Sequence, residues 1–542
     1  MIGKKSVFIS LLALALAVAL GTTAQAQWSQ DTRIDTGGDG IYKLSTDLCA
    51  SDTNVYCLWI DERAPGSQDV GAIYFTYSND WGVTWAASDQ RIDLGNPTNP
   101  KVQGASVSDY PAIASSENCV YAVWEDHRLD PDPISGTQGN VYFNRSTDYG
   151  ATWEDDQRID VGVAPNDTFA AYISICASGS NVYVAWQDKR NGGSEVFFSM
   201  SPNYGAAGSW TAPQSTDPSG FLYGHGYPQL DCDGDTVYVA WQDNRNASQD
   251  IYFNSSTDGG VTWTSNTVAR VDSDLPNPGN SIYLQMSAAP ATGSGGGGGF
   301  PPPSTIKISP LFVGVTQAGS QKGIGHQQNP NVGGKKVYCV WRDYRNEQDA
   351  FELDIYFNYS HDGGLTWGAQ DQWMNTHHAS PGSVWCGYPE VAGSDKGVYV
   401  VWEDEKDDLP EHVAPYIDDV YMQASVNGGK AGSWSGPVRM DTGTTPGTVD
   451  SSYNLVAARW PYVWCCWQDE RDDPVNFYDS YYCTYSINGG FTFTYSERVD
   501  SGGSNPGVGY AAIVPRGNGL HVAYRDYRNG AYYGMFYNGR LF

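Results

Sequence analysis

Apolar and polar positions alternate in short runs along this chain, and long helical apolar stripes are absent from it. One run, ending in an aromatic and a charged pair, occurs eight times: residues 55–63 (VYCLWIDER), 120–128, 182–190, 237–245, 337–345, 398–406, 463–471 and 521–528. A shorter strand precedes each copy and often opens with Tyr; Tyr110, Tyr172, Tyr227, Tyr388, Tyr453 and Tyr510 all stand 14 residues before the terminal aromatic of the run. A third strand such as 251–256 (IYFNSS) and a fourth such as 267–272 (TVARVD) follow. Four period-2 strands joined by short turns form one antiparallel sheet, and a ring of such sheets is a β-propeller.

A second phrase confirms the unit. Ser-x-Asp-x-Gly followed by Trp occurs at Ser78 to Trp85, Ser146 to Trp153, Ser256 to Trp263 and Ser360 to Trp367. Copies with Asn in the Asp slot lie at Ser201 to Trp210, Ser425 to Trp434 and Ser486 to Phe493. A phrase repeated at this period indicates a repeat architecture. The eighth unit ends at Phe542 after its third strand, whereas residues 28–37 (WSQDTRIDTG) match the fourth-strand segments that begin at Trp85 and Trp153. The N-terminal strand is therefore expected to complete the last blade of a single eight-bladed, all-β ring spanning 27–542; two four-bladed rings and a seven-bladed ring are the alternatives. Gly/Pro-rich sequence over 276–325 reads as an insertion between the fourth and fifth units.

Residues 1–26 have the form of a secretory signal, with Lys4 and Lys5, an apolar run from Val7 to Leu20 and Ala24-Gln25-Ala26 at the cleavage point. No other segment is long and apolar enough for a membrane span, so a secreted, extracellular or periplasmic location is expected. A formal charge of −30 disfavours nucleic acid as a partner. Ten cysteines in an oxidising compartment allow disulfides. Cys49 and Cys57 flank one turn, Cys465 or Cys466 could reach Cys483, and Cys176 and Cys232 hold similar places in adjacent units.

The second phrase resembles the Asp-box, or bacterial neuraminidase repeat, of sialidase-like propellers. That resemblance implies a hairpin in which the Asp accepts bonds from turn N–H groups, Gly supplies backbone freedom and the aromatic packs under the turn. The slot is held by Asp80, Asp148, Asn203, Asp258, Asp362, Asn427 and Asn488, read as structural. Loss of one Asp should cost about 1 kcal/mol by analogy with helix caps. Sialidases of that family are six-bladed and use an Arg-Ile-Pro motif; here Arg33-Ile34-Asp35, Arg91-Ile92-Asp93 and Arg158-Ile159-Asp160 are repeat copies on fourth strands, and Arg-Ile-Pro is absent. The resemblance thus implies the fold more than the activity.

In such a blade the Asp-box turns share one face of the ring, while the Asp-x-Arg ends of the repeated run and the Tyr positions lie toward the other. The Asp-x-Arg pairs are expected to pin adjacent blades, Lys406 being the one replacement. Tyr110, Tyr172, Tyr227, Tyr388, Tyr453 and Tyr510 are candidates for a ligand face, by packing or by stacking on glycan. Acidic loops suit Ca²⁺, with Asp407, Asp408, Asp418 and Asp419 as candidates, and Asp231-x-Asp233-x-Asp235 fits a turn equally well. Glu390, Tyr388 and Asp109, with His225 and His326, hold inner positions where catalytic groups could stand. His377-His378 is a pair with no third ligand in view and reads as a loop. Asn144, Asn166, Asn246, Asn254 and Asn358 open glycosylation sequons.

Two functions follow. One is a non-catalytic extracellular module that binds glycan or protein and self-assembles into an oligomer or filament. The other is a sialidase-like glycoside hydrolase.

Overall fold

Every copy of the apolar run is the second strand of a four-stranded antiparallel sheet, and there are eight such sheets. The structure is a computed structural model describing residues 28–541 except 39–42, 64–70, 95–107, 130–138, 165–168, 218–223, 225, 247, 264–267, 274–279, 290–335, 347–352, 395, 408–416, 475–477, 502–506, 517 and 529–532. Blade 1 runs Lys43–Ser51, Asn54–Asp61, Ala72–Ser78 and Gln90–Arg91, and blades 2 to 7 repeat that order. Blade 8 has Gly509–Arg516, Gly519–Asp526 and Gly534–Leu541, and takes its outer strand, Thr32–Arg33, from the N-terminal end. Thr32 lies opposite Tyr537 and Arg33 opposite Phe536, so the ring closes as the repeat count requires. First strands touch their neighbours in sequence all the way round, which places them at the axis.

Alternation along the second strands hides a simpler fact. All eight residues of Asn54–Asp61 and of Cys119–Asp126 are buried, because each blade is covered on both faces by its neighbours. Ile113 joins the cluster shared with blade 1, while Ala112 and Ala114 join the one shared with blade 3. The terminal Trp is the largest side chain in this core, and its indole N–H is satisfied by the Asp two residues on: Trp59 to Asp61 at 3.1 Å, Trp124 to Asp126 at 2.8 Å, Trp186 to Asp188 at 2.8 Å.

The Asp-box turns have the geometry their residues suggest. Asp80 accepts from Ser78 Oγ (2.8 Å), Thr84 N (2.7 Å) and Thr84 Oγ1 (2.6 Å), and Asp148, Asp258 and Asp362 repeat the set. Asn488 keeps two of these bonds. At Asn203 and Asn427 the turn is longer, and the opening serines pair with Ser209 (2.6 Å) and Ser433 (2.7 Å) instead. The box glycine is required twice over: Gly364 has φ +84°, and a Cβ there would overlap the ring of Phe253 in the preceding blade.

In each of the seven Asp-x-Arg copies the guanidinium pairs first with its own Asp and stacks on the third-strand aromatic of its own blade, as Arg128 does over Tyr142 at 4.1 Å. Four of them also reach the incoming connection: Arg128 donates to Asp93 O at 3.5 Å, Arg190 to Val161 O at 2.9 Å and Arg471 to Thr442 O at 2.9 Å, while Arg245 pairs with Asp217. Arg63, Arg345 and Arg528 take a second carboxylate beside the fourth strand of their own blade, Asp89 at 2.7 Å, Asp371 at 2.8 Å and Asp31 at 2.8 Å.

Several expectations are corrected. Ser281–Ala289, inside the segment expected as an insertion, is the first strand of blade 5, so 290–335 falls within that blade, between its first and second strands. Cys49 and Cys57 point to opposite faces of blade 1, in separate core clusters, and cannot bridge. Cys176 and Cys232 form a disulfide between blades 3 and 4, and Cys466 lies opposite Cys483 with sulfurs 2.9 Å apart. Asn144, Asn254 and Asn358 are buried third-strand residues whose amides bond Ile92 O, Thr216 O and Val271 O at 2.8–3.0 Å, so folded chain leaves them no room for a glycan. Asn246 is an exposed turn residue, and Asn166 lies outside the described residues.

Candidate functional site at the channel mouth

All eight first strands carry a bulge near the face opposite the Asp-boxes. The bulged residue has positive φ: Tyr110 (47°), Tyr172 (52°), Tyr227 (56°), Tyr283 (55°), Tyr388 (47°) and Tyr453 (55°), with Ser45 (40°) in blade 1. Left-handed backbone is costly for a bulky L-residue, so a tyrosine repeated there is a marked feature. All six rings are half-buried and hold the inner rim of the channel. Tyr110 and Tyr172 have centroids 6.0 Å apart, Tyr172 and Tyr227 4.2 Å, and Tyr283 and Tyr388 5.4 Å. Tyr283 escapes the 14-residue spacing because residues 290–335 intervene; the side chain of Tyr510 lies outside the described residues.

Polar groups interleave with the rim. Second-strand residues just before the repeated Asp reach toward the next blade. Arg342 places its guanidinium 4.2 Å from the ring centre of Tyr283, 5.7 Å from that of Tyr388 and 5.9 Å from that of Trp385. Glu403 accepts from Tyr453 N at 2.6 Å. Glu125, four blades away and thus across the ring, lies 3.2 Å from His127 Nε2.

Blades 6 to 8 contribute an acidic arc that the repeats do not announce. Asp450 Oδ1 accepts from Asp418 N at 3.0 Å, and Glu470 N donates to Asp450 O at 3.1 Å. Burial, with Asp450 and Asp469 nearby, pushes the Glu470 carboxyl up to about 7. Burial, with Glu470 and Asp450 nearby, pushes Asp479 up to about 8 even though Arg525 opposes the shift. In the sequence, position 470 is the variable one in the repeated Asp-x-Arg and Asp472 to Asp479 is one of the acidic loops.

Other candidates are dispersed. Glu390 does not line the channel: it shares a strand face with Ala392, which packs toward blade 7, and burial raises its pKa well above the usual range. Asp407 accepts from Tyr421 OH at 2.6 Å and Asp419 pairs with Arg439 at 2.7 Å, so these two are engaged separately; Asp408 lies outside the described residues. Asp231 accepts from Cys232 N and Ala288 N, tying blade 4 to blade 5. The side chain of Asp109, and His225 and His326 entirely, lie outside the described residues. His377 and His378 do lie in a connection, between blades 5 and 6, and the carboxylate of Asp404 stands beside both imidazoles.

No protein-family model matches the chain, and no curated protein matches its sequence. Solved structures with similar folds include a protein of unknown function from Dyadobacter fermentans (12% identity, 96% of this chain and 100% of that one, TM-score 0.40). Others are the polysaccharide lyase Uly1 (10%, 83% and 92%, 0.46) and the phage phi92 endosialidase (10%, 95% and 69%, 0.36). At these scores the likenesses carry no inference about activity. Among the described residues no helix is long and apolar enough to cross a membrane.

Proposed function

We propose that this chain is a secreted or cell-surface propeller whose channel mouth binds glycan without cleaving it. The observation that carries this reading is the rim of half-buried tyrosines held at positive φ. A sugar ring stacks on an aromatic face, and the rim offers two groups of neighbouring rings, Tyr110, Tyr172 and Tyr227 in one and Tyr283 and Tyr388 in the other. Arg342 among Tyr283, Trp385 and Tyr388 adds a cation for an acidic sugar. The N-terminal signal-like segment and the Cys176–Cys232 disulfide support an oxidising compartment outside the cytoplasm.

The acidic arc supports a second reading, a glycoside-cleaving enzyme. Glu470 and Asp479, with raised pKa values, are suited to donate protons near neutral pH. One experiment separates the two. Purified protein is run by affinity electrophoresis through neutral and anionic polysaccharides, and the same polysaccharides are assayed for new reducing ends. Retardation lost in the double variant Y172A/Y227A, with no product formed, is expected. Product that disappears in E470Q or D479N establishes the enzyme, and mobility unaffected by any polysaccharide sinks both.

A further inference from the structure

Blade 6 breaks the pattern at several positions in one place. In seven blades the Asp ending the second strand meets the guanidinium two residues on. In blade 6 that position is Lys406, whose Nζ lies 3.6 Å from Asp407 instead. Asp404 is met by two imidazoles from the incoming connection, His378 Nε2 at 2.9 Å and His377 Nε2 at 3.2 Å.

The neighbouring positions change as well. Six fourth strands end in an ion-paired Arg-x-Asp: Arg33/Asp35, Arg91/Asp93, Arg158/Asp160, Arg270/Asp272, Arg439/Asp441 and Arg498/Asp500. In blade 5 these residues are Trp373 and Asn375. Where Ser108, Ser281 and Ser451 donate to that linker Asp, blade 6 has Cys386. Its sulfur is 3.4 Å from Asp404 Oδ2 and 4.0 Å from His378 Nε2.

These separations, 2.9 to 4.0 Å, bracket those of a ligand shell. Donors arranged tetrahedrally at bonds of about 2.0–2.3 Å stand roughly 3.3–3.8 Å apart. The donor atoms of His377, His378 and Asp404 all lie within 4.8 Å of one another. Side chains of His378 and Asp404 are fully buried and that of His377 is 14% exposed, which leaves one edge for an ion to enter. Stacking on Tyr421, centroids 4.4 Å apart, holds the His377 ring. Asp354 and Asp418 add negative potential at Cys386.

We propose that His377, His378, Asp404 and Cys386 bind one divalent ion of the zinc class, pinning blade 5 to blade 6. Soft sulfur and imidazole donors select zinc-class ions over Ca²⁺. The carboxylate and a thiolate balance the two charges of the ion, as guanidinium balances Asp in the other blades. On binding, Cys386 releases its proton to solvent. His378 would carry its ring proton on Nδ1 in place of Nε2 and give up the bond that Nδ1 accepts from Asn375 Nδ2 at 3.1 Å, while Asn375 keeps Asp354 Oδ1 and Ile355 N as partners.

The test uses purified mature chain stripped with a chelator, then titrated with Zn²⁺ against a chromophoric competitor and, separately, with Co²⁺. Expected are one ion per chain, a raised melting temperature, and a tetrahedral Co²⁺ spectrum whose thiolate-to-metal band is lost in C386S. H377A, with its circular dichroism unchanged, should bind about tenfold or more weakly. Absence of stoichiometric binding, or wild-type affinity in folded H377A, overturns the site and leaves the imidazoles as substitutes for arginine. A Co²⁺ complex without the thiolate band overturns Cys386 as a ligand.

Discussion

The indole of Trp85 stands edge-on to the ring of Tyr537, centroids 4.9 Å apart, and so joins the first blade to the last. The same contact recurs around the ring: Phe75 with Trp153 (4.8 Å), Phe143 with Trp210 (4.8 Å), Phe198 with Trp263 (5.1 Å), Phe253 with Trp367 (5.1 Å) and Phe357 with Trp434 (4.9 Å). The aromatic that ends the Ser-x-Asp-x-Gly phrase is therefore an inter-blade wedge. Trp153→Ala should destabilise by about 2–3 kcal/mol, less than for a fully buried Trp because this ring is half-buried. Trp153→Phe should recover part of that. Thermal unfolding of both variants checks it, and an unchanged melting temperature for the alanine variant would refute the wedge.

Ring closure gives a second prediction. Removal of residues 28–38 strips Thr32–Arg33 from Gly534–Leu541, breaks the Arg528–Asp31 pair (2.8 Å) and uncovers the blade 8 edge. An exposed edge strand invites pairing between chains. The truncated protein is expected to melt earlier and to elute as aggregate by size-exclusion chromatography. A monomer of unchanged melting temperature would show that closure contributes little.

What repeats was legible in the sequence, and what does not repeat was hidden. Eight runs, seven boxes and the segment from Trp28 are enough to count blades, because each is a local signal of one strand or turn. The inter-blade roles of Asn144 or Gly364 are not local, since their partners Ile92 and Phe253 lie 52 and 111 positions away. Among the described side chains of the candidate site five tyrosines follow from the spacing, yet Tyr283 does not. Glu470 fills a variable repeat position and Asp479 ends an acidic loop, but nothing local pairs the two, and His377, Cys386 and Asp404 meet only because a connection, a first strand and a second strand converge there.

Stability should depend on pH from both sides. Carboxyls raised to about 7 (Glu470) and about 8 (Asp479) keep protons that the unfolded chain gives up near pH 4. Their contribution is complete at acid pH and is lost as pH rises through 7 and 8. Asp404 works oppositely: burial would raise it, but hydrogen bonds from His377 and His378 prevail and hold it well below the usual range. Its contribution is present above about pH 4 and is lost below. Melting temperature should therefore fall from about pH 5 to 8 and level off above that, and Asp479→Asn should flatten that limb. An equally steep fall in the variant would remove Asp479 as its cause.

The Cys176–Cys232 bridge spans 56 positions between two first strands at the axis. Closing a loop of that length stabilises by typically 2–4 kcal/mol. The double variant C176S/C232S should melt earlier by a margin that disappears when both proteins are measured in reductant. Identical melting in oxidising buffer would show that the bridge does not form.

Tyr227 can decide whether the rim exists for packing or for binding. At φ 56° its backbone is one that Asn or Gly adopts more readily than Tyr, so Tyr227→Asn relieves local strain while removing an aromatic face. If the ring serves mainly to pack against Tyr172, the variant melts earlier. If the ring is kept for ligand, the variant holds or gains thermal stability and loses retardation in polysaccharide gels, the trade of stability for function found at strained sites. The second outcome is expected, because the ring is only half-buried and lies at the open mouth of the channel. A variant that melts earlier yet binds polysaccharide as the wild type does would assign the tyrosine rim to architecture.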